Sequence, residues 1–419
     1  MRERRRVPSG ILQVLLLAVG IFVISTSELL PMGLLPDIGR QYQVTVQTAG
    51  WLVTAYALGV VAGGPLLTVA TVRVPRKRLL LYMLALFGAG SLLSAVAPSF
   101  GLLIASRVVS AVAQGAFFGA AVVMAGQLAA PGREGAAISL AGSGLTIATV
   151  IGGPLGTLLG QQFGWRFPFW MLVIITLLVG VGILWKIPDM PQVARPQIRR
   201  QLGQVARTGP VLALFTTVFG FGGVFLAFTY ISPILQEITG LPEERISIVL
   251  LLFGLASVIG NAAGGKLADR HLHAALLGSM GLLLAVMIAF YFTSTSVVPA
   301  LITVFVWGAA AYAMVTPLNV QVLRRSGSAQ DLASTLNISA FNLGNALGAF
   351  VGGYVAESRL GLSGLPLASA VIVTIGIALA AGSVMLERSK PGSAGAAGQA
   401  ECVNTAGEAS CGMNPGAQS

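Results

Sequence analysis

Residues 11–36 read ILQVLLLAVGIFVISTSELLPMGLLP, a 26-residue stretch in which Glu28 is the single ionisable residue. About 20 consecutive apolar residues cross the hydrocarbon core of a bilayer, so this stretch is long enough to span one. A carboxyl group inside such a span is costly and marks a functional site by default. The competing reading is that Glu28 snorkels toward an interface. It is disfavoured because the side chain is short and Leu29 to Pro36 still follow it.

Composition extends this reading to the whole chain. Of 419 residues, 55% are hydrophobic and 9% are charged, against roughly 25% charged in soluble proteins. The 53 glycines suit transmembrane helices, where small residues let neighbours approach closely. Apolar stretches bounded by turn or charge signals fall at 11–36, 50–71, 78–97, 102–124, 136–160, 167–187, 210–236, 246–267, 274–293, 298–320, 332–356 and 364–386. The fold class expected is an all-α membrane protein with twelve transmembrane helices.

The net charge of +11 is topological. Of the 25 Lys and Arg residues, 20 lie in the N-terminus, the loops after even-numbered spans, and the C-terminus. Four lie in the opposite loops (Arg40, Arg166, Arg245 and Arg359), and Arg107 lies inside a span. The positive-inside rule then predicts a multi-pass protein of the cytoplasmic membrane with both termini cytoplasmic. This distribution argues against nucleic-acid binding. Nothing matches Gly-X4-Gly-Lys-Ser/Thr, so ATP-driven transport is not supported. Met1-Arg-Glu-Arg-Arg-Arg6 ahead of a long span reads as the flank of a retained first helix rather than a cleaved signal. Cys402 and Cys411 sit in the polar tail, away from the spans, and make neither a disulfide framework nor a strong metal signal.

Residues 188–208 form the longest polar connection and hold three prolines. They divide the chain into an N-terminal six-helix bundle (1–187), a cytoplasmic central loop (188–208), a C-terminal six-helix bundle (209–387) and a disordered tail (388–419). Two such halves point to a transporter with its site at their interface, near the bilayer midplane. A receptor or scaffold is disfavoured because no extramembrane segment is large enough to signal.

Several motifs carry a family likeness. Span one ends Thr26-Ser-Glu-Leu-Leu-Pro-Met-Gly-Leu-Leu-Pro-Asp37. Span four reads Arg107-Val-Val-Ser-Ala-Val-Ala-Gln-Gly-Ala-Phe-Phe118, and span five reads Gly144-Leu-Thr-Ile-Ala-Thr-Val-Ile-Gly-Gly-Pro-Leu-Gly156, followed by Gly164-Trp-Arg-Phe-Pro-Phe-Trp170. The second half adds Phe228-Thr-Tyr-Ile-Ser-Pro233 and Asn337-Ile-Ser-Ala-Phe-Asn-Leu-Gly344. In this order the chain resembles the major facilitator superfamily, in particular the twelve-helix drug:proton antiporter-1 family and its arabinose-efflux and chloramphenicol-exporter-like members. The likeness runs from about Ile11 to Glu387. It departs after span two, where Gly64-Pro-Leu-Leu-Thr-Val69 puts Thr68 in place of the usual Asp. The second half keeps the fuller Gly265-Lys-Leu-Ala-Asp-Arg270.

The resemblance implies two pseudo-symmetric six-helix bundles and a proton-coupled antiporter, not an enzyme, exporting small amphipathic molecules such as antibiotics or sugar-like metabolites. A proton-coupled uptake symporter on the same fold is the alternative. The partners required are a small-molecule substrate, protons and the lipid bilayer; the chain is read as a monomer, with no metal or cofactor.

For proton coupling the candidates are Glu28, Arg107 and Asp37. Glu28 and Arg107 sit about 12 and 8 Å below the outer helix ends by helical rise, close enough in depth to face each other. A guanidinium favours a carboxylate and burial favours the acid, an opposition that suits a group loading and releasing a proton. Arg107 could equally bind backbone carbonyls between helices. Asp37 with Arg40 reads first as an exposed interfacial pair. Gly144, Gly152, Gly153 and Gly156 around Pro154 read as a gating bend or as plain close packing. Asp269 and Arg270 read as a cytoplasmic gate or as an ordinary positive-inside flank.

Polar residues open to substrate are Gln114, Tyr230, Asn319, Gln321, Asn337, Asn342 and Asn345, each of which could instead be interhelical glue. Phe117, Phe118, Phe225 and Phe228 could line an apolar cavity or simply pack.

Reporter fusions after Arg78, Arg200 and Arg388 are expected to read cytoplasmic. An external reading at Arg200 would contradict the twelve-span topology.

Overall fold

A computed structural model describes residues 10–71, 74–130, 133–189, 203–327 and 329–388. The N-terminal basic run, Arg73, residues 190–202 of the central connection, and the tail with Cys402 and Cys411 lie outside the described residues, as do the side chains of Thr68 and Glu387. The expectations placed on them lie outside as well.

The first six crossings are α1 (Ile11–Tyr42), α2 (Val46–Ala70), α3 (Arg76–Val96), α4 (Phe100–Leu128), α5 (Glu134–Phe163) and α6 (Phe167–Lys186). After the central connection comes α7 (Thr208–Phe228). The helical run Ile246–Thr293 has 48 residues, or about 70 Å at 1.5 Å per residue, too long for one crossing. It breaks at His271, whose φ of −141° and ψ of 78° are not helical, so α8 precedes His271 and α9 follows it. The chain closes with α10 (Val297–Arg325), α11 (Gln330–Glu357) and α12 (Leu365–Arg388). Among the described residues, ten helical segments are long and apolar enough to cross a membrane. That number counts α8 and α9 together and omits α11, which carries Asn337, Asn342 and Asn345, so the crossings total twelve.

Several span boundaries differ from the expectation, among them the end of α7 at Phe228 rather than 236, the end of α10 at Arg325 rather than 320, and the end of α1. The first helix does not stop at Pro36 but continues through Pro31 and Pro36 to Tyr42, where Gln43 takes a left-handed conformation at φ 53°. Proline removes a backbone donor and bends a helix, yet a helix can continue through it where packing holds both sides. Here Leu30, Met32, Leu34, Leu35 and Ile38 are all buried around the two prolines.

Glycines set the helix register. Along α5, a Cβ added at Gly144, Gly152, Gly156 or Gly160 would strike the Ala18 carbonyl, the Thr26 hydroxyl, Leu30 or Leu34 of α1, respectively. Both sets of numbers climb together in fours, so α1 and α5 run parallel and touch along a single stripe. A shift of 200 residue numbers carries this stripe into the second half. A Cβ at Gly344 of α11 would lie 2.6 Å from the Val218 carbonyl oxygen of α7, and one at Gly352 would lie 2.7 Å from that of Leu226. The two halves therefore repeat one packing scheme.

Just before Pro154, α5 makes a π turn over Ala148–Gly152, and Pro154 begins the next helical segment, Gly153–Phe163. The wider turn accommodates a residue that cannot donate a backbone hydrogen bond.

The apolar core falls into two main clusters. One joins Leu17, Ile21, Leu30, Phe87, Phe117 and Phe169 of the first half. The other joins Phe225, Phe253, Met280, Phe290 and Trp307 of the second half, and takes in Met32, Leu35 and Val53 from the first. Polar contacts between halves run from mid-helix to the Tyr42 end of α1. Arg40 donates to Glu243 at 3.0 Å, Gln161 Nε2 donates to the Glu243 carbonyl at 2.9 Å, and the Trp51 and Phe350 rings meet edge to face at 5.4 Å.

Gly144→Ala is expected to destabilise the protein by about 1–3 kcal/mol, because the new methyl meets main chain that cannot rotate away. Gly119, with nothing within 4 Å of an added Cβ, is the control, and Gly119→Ala should melt at or above the wild-type temperature. Equal melting of the two variants in detergent would contradict the close approach of α1 and α5.

Candidate functional site

The stripe that joins α1 to α5 passes Glu28 near the middle of α1, with Thr26 on Gly152 and Leu29 on Gly153. Glu28 is half-buried there, and a carboxyl drawn partly out of water needs hydrogen-bond partners; two amides supply them. Gln114 Nε2 of α4 donates to Glu28 Oε2 at 2.8 Å, and Asn345 Nδ2 of α11 donates to Glu28 Oε1 at 3.1 Å. One donor comes from each half of the molecule, so the carboxyl bridges the two.

Arg107 does not complete this bridge as an ion pair. Its side chain is wholly buried, and it donates to the Ser27 hydroxyl at 2.8 Å and the Ser27 carbonyl at 2.9 Å. Its guanidinium lies 4.1 Å from the centroid of the Tyr56 ring. The depth argument brought Arg107 to the right level, but one residue along a helix turns the side chain by about 100°. The guanidinium therefore meets Ser27, and the carboxylate points elsewhere. Arg107 and Glu28 are joined indirectly: the Tyr56 hydroxyl donates to Gln114 Oε1, and the same Gln114 donates to Glu28. Tyr56 went unmarked in the sequence, where one aromatic in an apolar helix looks like packing.

The remaining expected residues fall into several groups. Gly152, Gly153 and Gly156 face α1 at Thr26, Leu29 and Leu30. Pro154 instead lines, with Leu29, Met32, Thr149, Phe228 and Phe253, a small apolar recess whose α1 wall begins one residue after Glu28. Phe228 stacks on Phe253 at 4.2 Å, and both meet Trp307 edge-on, so the second half contributes an aromatic wall. Thr149 of α5 and Tyr312 of α10 approach to 3.4 Å across the same space. Phe117 packs inside the first-half core against Gly20.

Asn319 and Asn337 belong to a separate polar column. Thr217 donates to Asn337 Oδ1 at 2.8 Å, Asn337 donates to Asn319 Oδ1 at 2.8 Å, and Asn319 donates to the Val315 carbonyl at 3.0 Å. This column ties α7, α11 and α10 together. Asn342 donates to the Ile338 carbonyl of its own helix at 3.0 Å, leaving its Oδ1 without a partner. Gln321 donates to Ser383 at 3.3 Å.

Tyr230 is fully buried, donates to the Ala349 carbonyl at 2.8 Å, and packs on Gly50 of α2. It thus sits where the halves meet rather than beside Glu28. Asp37 pairs with Arg40, which also binds Glu243 from the segment after α7, so the expected local pair is part of a contact between halves. Asp269 and Arg270 are exposed at the end of α8 and form no ion pair among the described residues.

Comparison with known proteins bears on the family and the fold. A family model described as the Major Facilitator Superfamily matches residues 17–337. The chain is 40% identical over 365 residues to the inner membrane transport protein YdhP of Escherichia coli, covering 87% of this chain and 94% of that protein. It is 33% identical over 369 residues to the chloramphenicol resistance protein of Streptomyces lividans, covering 87% and 94%. Among solved structures, a bacterial homologue of the human lysosomal transporter Spinster, in its inward-facing and occupied conformation, superposes with a TM-score of 0.72 at 16% identity. It covers 91% of this chain and 98% of that one.

Proposed function

The chain belongs to the major facilitator superfamily and is a multi-pass inner-membrane transporter, and from that premise we propose that it is a proton-coupled antiporter exporting small amphipathic molecules. The observation that carries this reading is the Glu28 carboxyl, near the middle of α1, held by Gln114 of one half and Asn345 of the other. An antiporter needs a group that titrates and a cavity that faces one side at a time. Glu28 lies where a change in the relation of the halves changes its surroundings.

Coupling then follows by competition. With the site open to the acidic outer side, Glu28 takes up a proton. With the site open inward, substrate and the higher pH favour release. Proton and substrate occupy one state alternately, and export is driven by proton entry. The α5 bend at Pro154 and the aromatic wall of Phe228 and Phe253 form the apolar side of the substrate space. The Arg40–Glu243 contact holds the halves together at the outer end. Arg107 acts through Tyr56 and Gln114, by fixing the amide that faces Glu28. The name of the Streptomyces lividans relative makes chloramphenicol the first substrate to try.

Glu28→Gln cannot ionise. In detergent-purified protein, addition of a transported substrate should release protons from the wild type and none from Glu28→Gln, with the variant still folded. Wild-type proton release from Glu28→Gln would move the coupling group elsewhere, with Asp37 the next candidate.

A further inference from the structure

We propose that Asn345 is the residue that accommodates both protonation states of Glu28, by turning its side-chain amide over, and that the transported proton resides on Glu28 Oε1. This deepens the proposed function and rests on the reading of Glu28 as the proton-carrying group. The starting observation is an asymmetry between the two amides that hold the carboxyl. Gln114 is engaged at both ends: its Oε1 accepts from Tyr56 and its Nε2 donates to Glu28 Oε2 at 2.8 Å. Asn345 is engaged at one end. Its Nδ2 donates to Glu28 Oε1 at 3.1 Å, while its Oδ1 is buried without a hydrogen-bond partner. The whole side chain is only 4% exposed, so water is not an easy substitute partner.

A buried carbonyl without a partner costs free energy and calls for an explanation. The neighbouring carboxyl supplies one. An ionised carboxylate only accepts, and both amides then offer it N–H groups. A protonated carboxyl must also donate one bond. If the proton sat on Oε2 it would face the Gln114 N–H. Turning Gln114 over would give up its short contact with Tyr56, whose other neighbours are the Ile24 carbonyl at 3.4 Å and the Ser27 side chain, which already accepts from Arg107. If the proton sits on Oε1, Asn345 rotates half a turn about its terminal torsion, a motion for which the two orientations are nearly equivalent. Its free Oδ1 then accepts from Oε1–H. No other bond of Asn345 is lost, because Oδ1 had none; Nδ2 takes the unpartnered place that Oδ1 held, so each protonation state leaves one amide atom of Asn345 without a partner and neither is favoured on that count. The reaction balances simply: one proton from solvent adds to Oε1, and one N–H···O bond becomes one O–H···O bond.

The other titratable side chains acting on Glu28 are Arg107 from α4, Tyr56 from α2 and Tyr312 from α10. None of these is placed to accept the Oε1 proton: Tyr56 and Arg107 face Gln114 and Ser27, and Tyr312 faces Thr149. Asn345 lies on α11 beside Gly344 and Gly348, which pack against α7 main chain, so its amide turns on a firmly held backbone.

Infrared difference spectroscopy on acidification of the purified full chain reads this directly. In the wild type, a protonated-carboxyl band that disappears in Glu28→Gln should be accompanied by a downshift of an asparagine side-chain carbonyl, assigned by isotope-labelled asparagine, as that carbonyl gains a donor. In Asn345→Leu the Glu28 band should move to higher wavenumber and the asparagine change should vanish. A Glu28 band with no asparagine change in the wild type overturns this inference while leaving the proposed function intact, and needs no variant at position 345. A Glu28 band unmoved in folded Asn345→Leu overturns it as well. If no carboxyl band depends on Glu28, the proposed role of Glu28 fails, and this inference fails with it.

Discussion

A carboxyl group at the centre of a membrane protein must be satisfied, and the identity of its partners governs what it can do. Glu28 is satisfied by neutral amides from two halves of the molecule rather than by the nearby guanidinium. This matters because breaking a buried ion pair by removing one charge costs on the order of 3–5 kcal/mol, since the other charge is left uncompensated. With Arg107 hydrogen-bonded to Ser27 and set over the Tyr56 ring, a change of proton on Glu28 breaks no direct bond to the arginine. In the proposed mechanism the arginine contributes a fixed field and a fixed framework, and the glutamate titrates.

The surrounding fold positions this group through glycines. The α1–α5 stripe and its counterpart 200 residues later, α7–α11, lock each pair of helices into a unit by close contact at glycines. Glu28 lies on the first unit and Asn345 on the second. The hydrogen bond between them therefore reports the relation of the units, and packed interfaces of this kind tend to have discrete arrangements rather than a continuum. The same logic accounts for Tyr230, whose hydroxyl ties α7 to α11 at Ala349 while its ring fills the space left by Gly50.

Much of this was legible in the sequence. The twelve crossings, the interior carboxyl and the glycine stripe around Pro154 follow from composition, charge placement and spacing. The partners were not legible, for geometric reasons. Arg107 meets Ser27 instead of Glu28 because adjacent helical residues diverge by about 100°, a difference that depth alone cannot resolve. Arg40 finds Glu243 more than 200 residues away, across a contact that no local pattern encodes. Asn319 and Asn337 look alike in the sequence and join one column with Thr217, whereas Asn345, eight residues beyond Asn337, reaches the other half. The end of α1 was misplaced because Pro36 reads as a stop, while buried contacts on both sides carry the helix to Tyr42.

The central claim is that substrate moves against protons through a site containing Glu28. Its most direct test is substrate accumulation in respiring everted membrane vesicles, over a panel of antibiotics and sugars that begins with chloramphenicol, before and after an uncoupler collapses the proton gradient. The account predicts that a carried substrate accumulates only while the lumen is acidic, and drains when the uncoupler is added. Accumulation that persists unchanged after the gradient is gone would contradict it.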